Sequence, residues 1–172
     1  MSGEQFTFFW SGPFSQWHKS RFELDGRVYN TAEQYMMSEK ARLFGDEETR
    51  DRIMATGDPR KQKALGRQIR GFDTARWQAE ARDIVYRGNR AKFTADPALL
   101  QVLLATAGTT IVEASPLDTI WGIGLAEDDP AARDRANWRG SNWLGEVLTR
   151  LREDLLAEQA RFAAPGKTGS GK

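Results

Sequence analysis

The sequence predicts a single domain of the α+β class in which helices predominate and a small β-hairpin or sheet completes the fold. Short segments rich in aromatic and β-branched residues near the N-terminus are typical of strands. Most of the remaining chain places apolar residues at helical spacing between glycine and Asp-Pro breaks, which is typical of several helices. At 172 residues, 40% of them hydrophobic, the chain has the length and composition of one folded domain with its own core.

The predicted strands lie mainly in the N-terminal part of the chain. We predict strands at residues 5–9, 22–24 and 27–29, and a fourth at residues 109–114. Asp25-Gly26, between the second and third of these, is a strong hairpin signal because tight hairpin turns need residues that tolerate positive φ. The loop at residues 14–21 carries Trp17 among amide and basic groups, and we consider it a candidate cover for a ligand.

Residues 30–44 form the most informative predicted helix. Thr31 can cap its first turn while Gln34 reaches back to the cap. At about 100° per residue, Glu33 and Lys40 fall in the middle of the apolar side of the helix. The other polar side chains are predicted on the opposite side: Gln34, Ser38, Glu39 and Arg42. Burying an unpaired charge is costly, so we expect Glu33 and Lys40 either to form a structural pair or to take part in chemistry.

The remaining helices are predicted from their caps and breaks. They lie at residues 46–55, 59–68, 74–93, 97–106, 129–136 and 144–162. The helix at 97–106 is apolar enough that we expect it to be the central core element. Trp77 lies on the apolar face of the helix at 74–93. The composition of residues 163–172 is that of a flexible tail, so the predicted domain covers residues 1–162.

The loop after the fourth strand is the second informative stretch. Residues 115–125 keep Asp118 and Trp121 close to two glycines, of which Gly122 follows the tryptophan directly. Glycine lets a backbone approach a ligand, and a tryptophan in a loop offers a flat face for stacking. We therefore regard Asp118, Trp121 and Gly122 as candidate site residues.

The composition excludes several kinds of site. The chain has no cysteine, which excludes disulfides, thiolate nucleophiles and Cys-bound zinc. His18 is the single histidine, so multi-histidine metal sites are excluded as well, and no metal or other cofactor is expected. The N-terminus has no basic region followed by an apolar core, and no apolar run is long enough to span a membrane. We expect a cytoplasmic protein with no membrane partner.

The net charge is nearly balanced at +1, but the charge is unevenly distributed. Residues 50–70 contain seven basic side chains and two acidic ones. Such an excess could attract phosphate or nucleic acid, although solvated helix faces have similar compositions.

The candidate residues suggest a chemistry. They are Glu33, Lys40, Asp118, Trp77, Trp121 and Asn142. A lysine in apolar surroundings has a lowered pKa, and its amine can then attack a carbonyl or imine carbon. Carboxylates transfer protons, and tryptophans provide walls for a base. The set suits cleavage of the bond between a sugar and an exocyclic amine, while acid and base catalysis by Glu33 and Asp118 alone is an open alternative.

Several stretches, in order, carry a resemblance to a known family. They are TAEQYMMSEKARLF, the basic two-helix segment, WQAEARDIVYRGNRAKF, IVEASPLDTIWGIG and GSNWLGEVLTRLREDL. Together they resemble the NADAR superfamily, named for predicted NAD and ADP-ribose chemistry, and its YbiA-like branch. The resemblance implies a compact, mostly helical α+β fold and hydrolysis of N-glycosidic bonds. It implies phosphorylated ribosylamino-pyrimidines of the riboflavin pathway as substrates of the YbiA-like branch, and ADP-ribosylated guanine in nucleic acid as the substrate of other members.

The resemblance also assigns residues. The Glu and Lys of the family's E-x-x-x-x-x-x-K helix correspond to Glu33 and Lys40, and the Asp and Trp of its S-P-x-D-x-x-W-G-x-G motif correspond to Asp118 and Trp121. We accordingly expect Lys40, Glu33 and Asp118 to be catalytic. The residues expected to bind substrate are Trp77, Trp121, Asn142, Trp17 and Gly122.

The chain departs from the family pattern where a substrate would be contacted. Residues 14–17 read FSQW where many members read L-S-N-F, and residues 33–37 read EQYMM where His, Tyr and Gln-Ala are frequent in the family. These departures bear on the identity of the substrate more than on the reaction.

Three hypotheses follow. The leading one is an N-glycosidase without a cofactor that acts on a small nucleotide-like substrate, with ADP-ribosylated guanine in nucleic acid as the alternative substrate. The second is a module that binds NAD or ADP-ribose without turning it over. The third is a structural domain in which Glu33 and Lys40 form a buried pair.

Overall fold

The computed structural model describes residues 3–163, which form six α-helices, four short strands and two 3-10 helices. The strands are β1 (Phe6–Phe9), β2 (Phe22–Leu24), β3 (Arg27–Tyr29) and β4 (Thr110–Glu113). The helices are α1 (Ala32–Leu43), α2 (Glu47–Met54), α3 (Pro59–Gly66), α4 (Thr74–Ala95), α5 (Pro97–Leu104) and α6 (Trp143–Ala163). The predicted α+β class with a predominance of helix is confirmed.

The four strands form two separate two-stranded sheets. β2 and β3 are the predicted hairpin, and both turn residues have positive φ, 52° at Asp25 and 78° at Gly26. β1 and β4 pair in parallel, with Phe9 opposite Glu113. This pairing brings the end of β4, and the loop that follows it, beside the N-terminal segment.

Helix α1 lies at the centre of the molecule, packed against α2, α3 and α4. The prediction that its polar residues face away from the core is wrong, because α2 covers that side. Gln34 and Ser38 are buried there, and Ser38 Oγ accepts a hydrogen bond of 3.1 Å from Arg50 Nε. Of the four residues predicted on that side, only Arg42 is exposed.

The N-terminus of α1 is capped nearly as predicted. Thr31 Oγ1 accepts a hydrogen bond of 2.9 Å from the backbone N–H of Gln34. The side chain of Gln34 returns to the backbone N–H of Asn30 rather than to that of Thr31, also at 2.9 Å. The two hydrogen bonds therefore connect Asn30 and Thr31 to the first turn of the helix.

The main core lies between α1, α4, α6 and β4. Its fully buried members include Phe93 of α4, Ile111 of β4 and Leu148 of α6. The prediction that the apolar helix at 97–106 is central is wrong. Only Leu99 and Leu103 of α5 are buried, because α5 covers the outside of α4 and α6.

Other differences from the predicted elements are local. The predicted helix at 129–136 consists of two 3-10 helices, Pro130–Arg133 and Arg135–Asn137. The predicted tail, residues 163–172, lies outside the described residues except for Ala163, which ends α6. None of the helices in the described range is long and apolar enough to cross a membrane.

Candidate active site

Glu33 is the buried acid of the candidate site. It lies in the first turn of α1, is 4% exposed, and donates its backbone N–H to the carbonyl oxygen of Gln16 at 3.0 Å. Burial raises the pKa of the Glu33 carboxyl to about 7, and Asp118 contributes to the rise. Three cations act in the opposite direction: Lys63, Lys40 and Arg67. Glu33 can therefore hold or release a proton near neutral pH.

Lys40 lies two helical turns after Glu33, half-buried among aromatic side chains. Its Nζ donates a hydrogen bond of 2.9 Å to the carbonyl oxygen of Gly66. The same nitrogen lies 4.6 Å from the ring centroid of Phe72 and 5.6 Å from that of Trp77. Burial lowers the pKa of the Lys40 amine, although the nearby Glu33 carboxylate raises it. A lysine in this setting is a better nucleophile than an exposed one.

Glu33 and Lys40 influence each other without forming an ion pair. Among residues 3–163, no Lys or Arg nitrogen lies within 4.0 Å of the Glu33 carboxylate, and no carboxylate lies that close to Lys40 Nζ. The buried structural pair of our third hypothesis is therefore absent from the described fold.

Two basic side chains from the α3 region face Glu33. Lys63 lies in α3, and Arg67 is the residue that caps the C-terminus of this helix. Both are exposed, both lower the pKa of Glu33, and Arg67 also lowers that of Lys40. The predicted basic segment thus contributes positive charge to the surroundings of the buried acid.

Asp118 approaches Glu33 from the loop that follows β4. Its Oδ1 accepts hydrogen bonds from the backbone N–H groups of Ile120 at 2.9 Å and Trp121 at 2.8 Å. Its own backbone N–H donates to Ser115 Oγ at 3.2 Å. These bonds fix the turn and hold the carboxylate close enough to raise the pKa of Glu33. Glu33 is therefore influenced by both of the other residues predicted to be catalytic, Lys40 and Asp118.

The predicted tryptophans occupy different places. Trp77 lies beside Lys40, as described above, and Trp17 lies beside Lys63, whose Nζ is 6.0 Å from its ring centroid. Trp121 follows Asp118 in the same turn, but its ring packs edge-on against Trp143 with 5.6 Å between centroids. Trp17 and Trp77 are thus placed beside the cationic side chains, and the ring of Trp121 lies against the start of α6.

Two other predicted binding residues support the framework. Asn142 is fully buried, and its side chain joins β4 by accepting from the N–H of Glu113 and donating to the carbonyl of Ile111, both at 3.0 Å. Gly122 is also buried, and a side chain there would meet the Glu113 carboxylate and the carbonyl of Asp118 at 3.0 Å. The space beside Gly122 is filled by protein atoms rather than open to a ligand.

Glu113 was not predicted from the sequence. It ends β4, and burial raises the pKa of its carboxyl to about 7, with Asp118 contributing next. Lys63 lowers the pKa of Glu113 and Glu33 raises it, which places Glu113 in the same group of charges. The sequence feature that could have identified Glu113 is its position as an acidic residue at the end of the buried strand TIVE.

The loop that carries Trp17 is anchored next to Glu33. Gln16 is nearly buried, and its Oε1 accepts a hydrogen bond of 2.9 Å from Asn89 Nδ2 of α4. Lys92, also on α4, donates to the carbonyl oxygens of Pro13 at 2.7 Å and Ser15 at 3.0 Å. The predicted cover loop is therefore held against α1 and α4.

The group as a whole combines proton transfer, a nucleophilic amine and positive charge. Glu33 and Glu113 titrate near neutral pH, Lys40 is activated by burial, and Lys63 with Arg67 can attract an anion. In the part of the chain that the structure describes, no three His, Asp or Glu side chains are grouped to hold a metal ion.

Comparison with known proteins identifies the family of the chain. Residues 8–156 match the model of the NADAR domain. The chain is 45% identical to N-glycosidase R617 of Acanthamoeba polyphaga mimivirus, over 82% of the chain and 86% of the relative. It is 30% identical to N-glycosidase YbiA of Escherichia coli strain K12, over 86% of the chain and 84% of the relative. The NMR structure of the E. coli protein YbiA superimposes with a TM-score of 0.75 at 28% identity, covering 93% of the chain and 90% of YbiA.

The chain therefore belongs to the NADAR domain family. Within that family it is YbiA-like in sequence and fold, and it is an enzyme of the N-glycosidase class. The resemblance inferred from the sequence is confirmed.

Proposed function

We propose that the enzyme hydrolyses the bond between ribose and an exocyclic amine of a base, in a phosphorylated intermediate of the riboflavin pathway. The observation that carries this proposal is the placement of Glu33 and Lys40 on one face of α1, each with a pKa moved toward neutrality and neither in an ion pair. Buried groups whose pKa values are moved toward neutrality, and which have no ion-pair partner, are candidates for catalysis.

The proposed reaction begins with opening of the sugar ring. Protonated Glu33 gives its proton to the ring oxygen as the bond between that oxygen and C1′ breaks, which leaves an imine between C1′ and the base nitrogen. The neutral amine of Lys40 adds to C1′ of the protonated imine, and a proton then passes from the Lys40 nitrogen to the base nitrogen. The base leaves as a free amine while the Lys40 nitrogen forms a protonated imine with C1′. Water then hydrolyses the imine of Lys40, which releases the sugar and restores the amine.

A second route uses the same residues without a covalent intermediate. Glu33 protonates the leaving amine, Asp118 activates a water, and the positive charge of Lys40 balances the carboxylates, as in ordinary glycosidases. The two routes differ in one observable, because only the first forms a lysine imine. Borohydride added during turnover reduces such an imine to a stable adduct, which mass spectrometry detects on wild type and not on Lys40→Met.

The charges around the site support an anionic substrate. Lys63 and Arg67 are exposed beside the buried acid, and no carboxylate in the described residues pairs with either. Cations without a carboxylate partner are suited to bind a phosphate. In the proposed complex the base stacks on the rings of Trp77 and Trp17, and the phosphate lies toward α3.

The second candidate substrate is ADP-ribosylated guanine in nucleic acid. Its sugar is also attached through an exocyclic amine, so the same chemistry applies. The observation that favours it is the set of further exposed cations around α2 and α3, namely Arg52, Arg60 and Lys61. A phosphate backbone binds to such a surface with strong dependence on salt.

The test is base release measured by chromatography, with both substrates supplied to the same preparation. One substrate is the ribosylamino-pyrimidine phosphate, and the other is a short DNA that carries ADP-ribosyl guanine. Release from the first alone is the expected result, whereas release from the DNA alone makes the second candidate correct. Tight binding of nucleotide with no release from either substrate contradicts the proposed function and favours the binding module.

A further inference from the structure

Glu113 is held rigidly at the end of β4. Its backbone N–H donates to Asn142 Oδ1 at 3.0 Å, and its backbone carbonyl accepts from the N–H of Ile123 at 3.0 Å. On the neighbouring strand it faces Phe9, which carries no charge. The carboxyl group lies against the loop that contains Asp118, beside Gly122.

One oxygen of this carboxyl is enclosed without a hydrogen bond. Glu113 Oε2 is buried and has no partner among the described residues. It lies against Gly122, where an added Cβ would come within 3.0 Å of it. A carboxylate oxygen that carries negative charge in such a place lacks any donor to stabilise it, so the neutral acid is the favoured form.

The charged groups around Glu113 act in the same direction. Asp118 approaches from the loop and Glu33 from α1, both negative, and Lys63 of α3 is the cation that opposes them. Asn142, the residue before α6, is neutral and contacts the backbone N–H of Glu113 rather than its carboxyl group. Carboxyl groups that share a site cannot all ionise together, so one of them retains a proton at neutral pH.

We propose that Glu113 is a positioning residue of the reaction: in the active form of the enzyme it is protonated, which limits the negative charge beside Glu33 and Asp118. The proposal rests on the proposed function, because it concerns the protonation of residues that we place in catalysis. Neutral Glu113 leaves Glu33 able to exchange a single proton with the substrate. Ionisation of Glu113 adds a negative charge beside both carboxylates, and the enzyme then loses activity.

The variant Glu113→Gln tests this role because it fixes the neutral form at almost the same size. In the pH dependence of kcat/KM, we expect the alkaline limb of Glu113→Gln to move to higher pH than that of wild type. At about pH 6 we expect Glu113→Gln to lose less than roughly a hundredfold in kcat/KM, which is the loss that removal of a general acid or base causes. Glu127→Gln, an exposed control in the turn before the 3-10 helices, should keep the wild-type profile.

Two results would overturn the proposal. One is a Glu113→Gln profile that superimposes on that of wild type. The other is loss of activity at every pH with an unchanged melting temperature, which would mean that an ionised Glu113 takes part in the reaction.

A second measurement does not depend on activity. In protein labelled with ¹³C at the glutamate carboxyls, the NMR signal of Glu113 is identified by its absence from Glu113→Gln. We expect this signal to titrate near neutral pH and to move to lower pH in Asp118→Asn. Titration in the ordinary range of glutamate would contradict the proposal. If wild type releases no base from either substrate, the proposed function fails, and the NMR titration still decides whether Glu113 is protonated.

Discussion

Lys40 Nζ and the carbonyl oxygen of Gly66 are joined by a hydrogen bond of 2.9 Å. Gly66 ends α3, and a Cβ at this position would overlap Met37 Sδ of α1 at 2.0 Å. The close approach of the two helices allows a backbone carbonyl to reach the amine. It also brings Lys63 to the side of Glu33, so the contact between α1 and α3 supplies positive charge to the site.

The raised pKa of Glu33 predicts a dependence of stability on pH. The folded-state pKa of about 7 lies above the ordinary value of 4.5, so the folded protein binds this proton more tightly than the unfolded chain does. The resulting stability is complete below the ordinary pKa and is lost as the pH rises through the folded-state value. Glu33→Gln should therefore raise the free energy of unfolding by up to about 3 kcal/mol at about pH 8, with little change at about pH 4.

Denaturant unfolding of wild type and Glu33→Gln at the two pH values checks this expectation. Glu127→Gln serves as the control, since its side chain is exposed. A destabilised Glu33→Gln at the higher pH would mean that the carboxylate is paired in the folded protein, as in the structural hypothesis.

Lys63 and Arg67 are expected to bind the phosphate of the substrate. Lys63→Gln and Arg67→Gln should each raise KM for the ribosylamino-pyrimidine phosphate about tenfold, the effect of losing one charge-assisted hydrogen bond. Arg60→Gln changes an exposed cation of the same helix and should leave KM unchanged. Steady-state kinetics at two salt concentrations measure KM for the three variants. Equal KM values would show that the phosphate does not bind to Lys63 and Arg67.

Lys63 also opposes the effect of burial on Glu33, which gives the same variant a second readout. Loss of its charge should raise the pKa of Glu33 further, because Lys63 is the cation with the largest effect on that group. The limb of the pH profile that belongs to Glu33 should then move to higher pH in Lys63→Gln. An unmoved limb would show that the titration of Glu33 does not control the rate.

Asn142 should contribute to stability rather than to substrate binding. Asn142→Ala leaves the N–H of Glu113 and the carbonyl of Ile111 without partners and strains a backbone whose φ is 52°. We expect a loss of about 2–4 kcal/mol in the free energy of unfolding. Asn137→Ala, at an exposed asparagine in the preceding 3-10 helix, is the control. Unchanged stability with a raised KM would instead place Asn142 in contact with the substrate.

The sequence was sufficient to predict most of the elements and to place Glu33 and Lys40 on the same helix, α1. Capping residues and breaks located the helices. Glu33 and Lys40 were identified because they are charged residues on the apolar side of the predicted helix. The burial of Gln34 and Ser38 was not predictable, because their polar groups are satisfied by partners on the next helix, α2, such as Arg50 for Ser38. The peripheral position of α5 was not predicted for a related reason, because an apolar composition does not reveal which elements cover a helix.

The missed members of the site depend on pairings between distant segments. Glu113 joins the site because β4 pairs with β1 and the following loop folds back against it. Phe72 reaches Lys40 from the turn before α4. Trp17 was identified as a residue of a cover loop, but its place beside Lys63 follows from the anchoring of that loop by Gln16 and by Lys92 of α4.

The central claim is that Lys40, together with Glu33, performs the cleavage, and base release by Lys40→Met tests it most directly. Methionine preserves the packing against Phe72 and Trp77 without the amine, and Lys61→Ala, at an exposed lysine of α3, is the matched control. With the ribosylamino-pyrimidine phosphate, we expect Lys40→Met to lose at least about a hundredfold in kcat while melting no lower than wild type. Release of base at the wild-type rate by folded Lys40→Met would contradict the account.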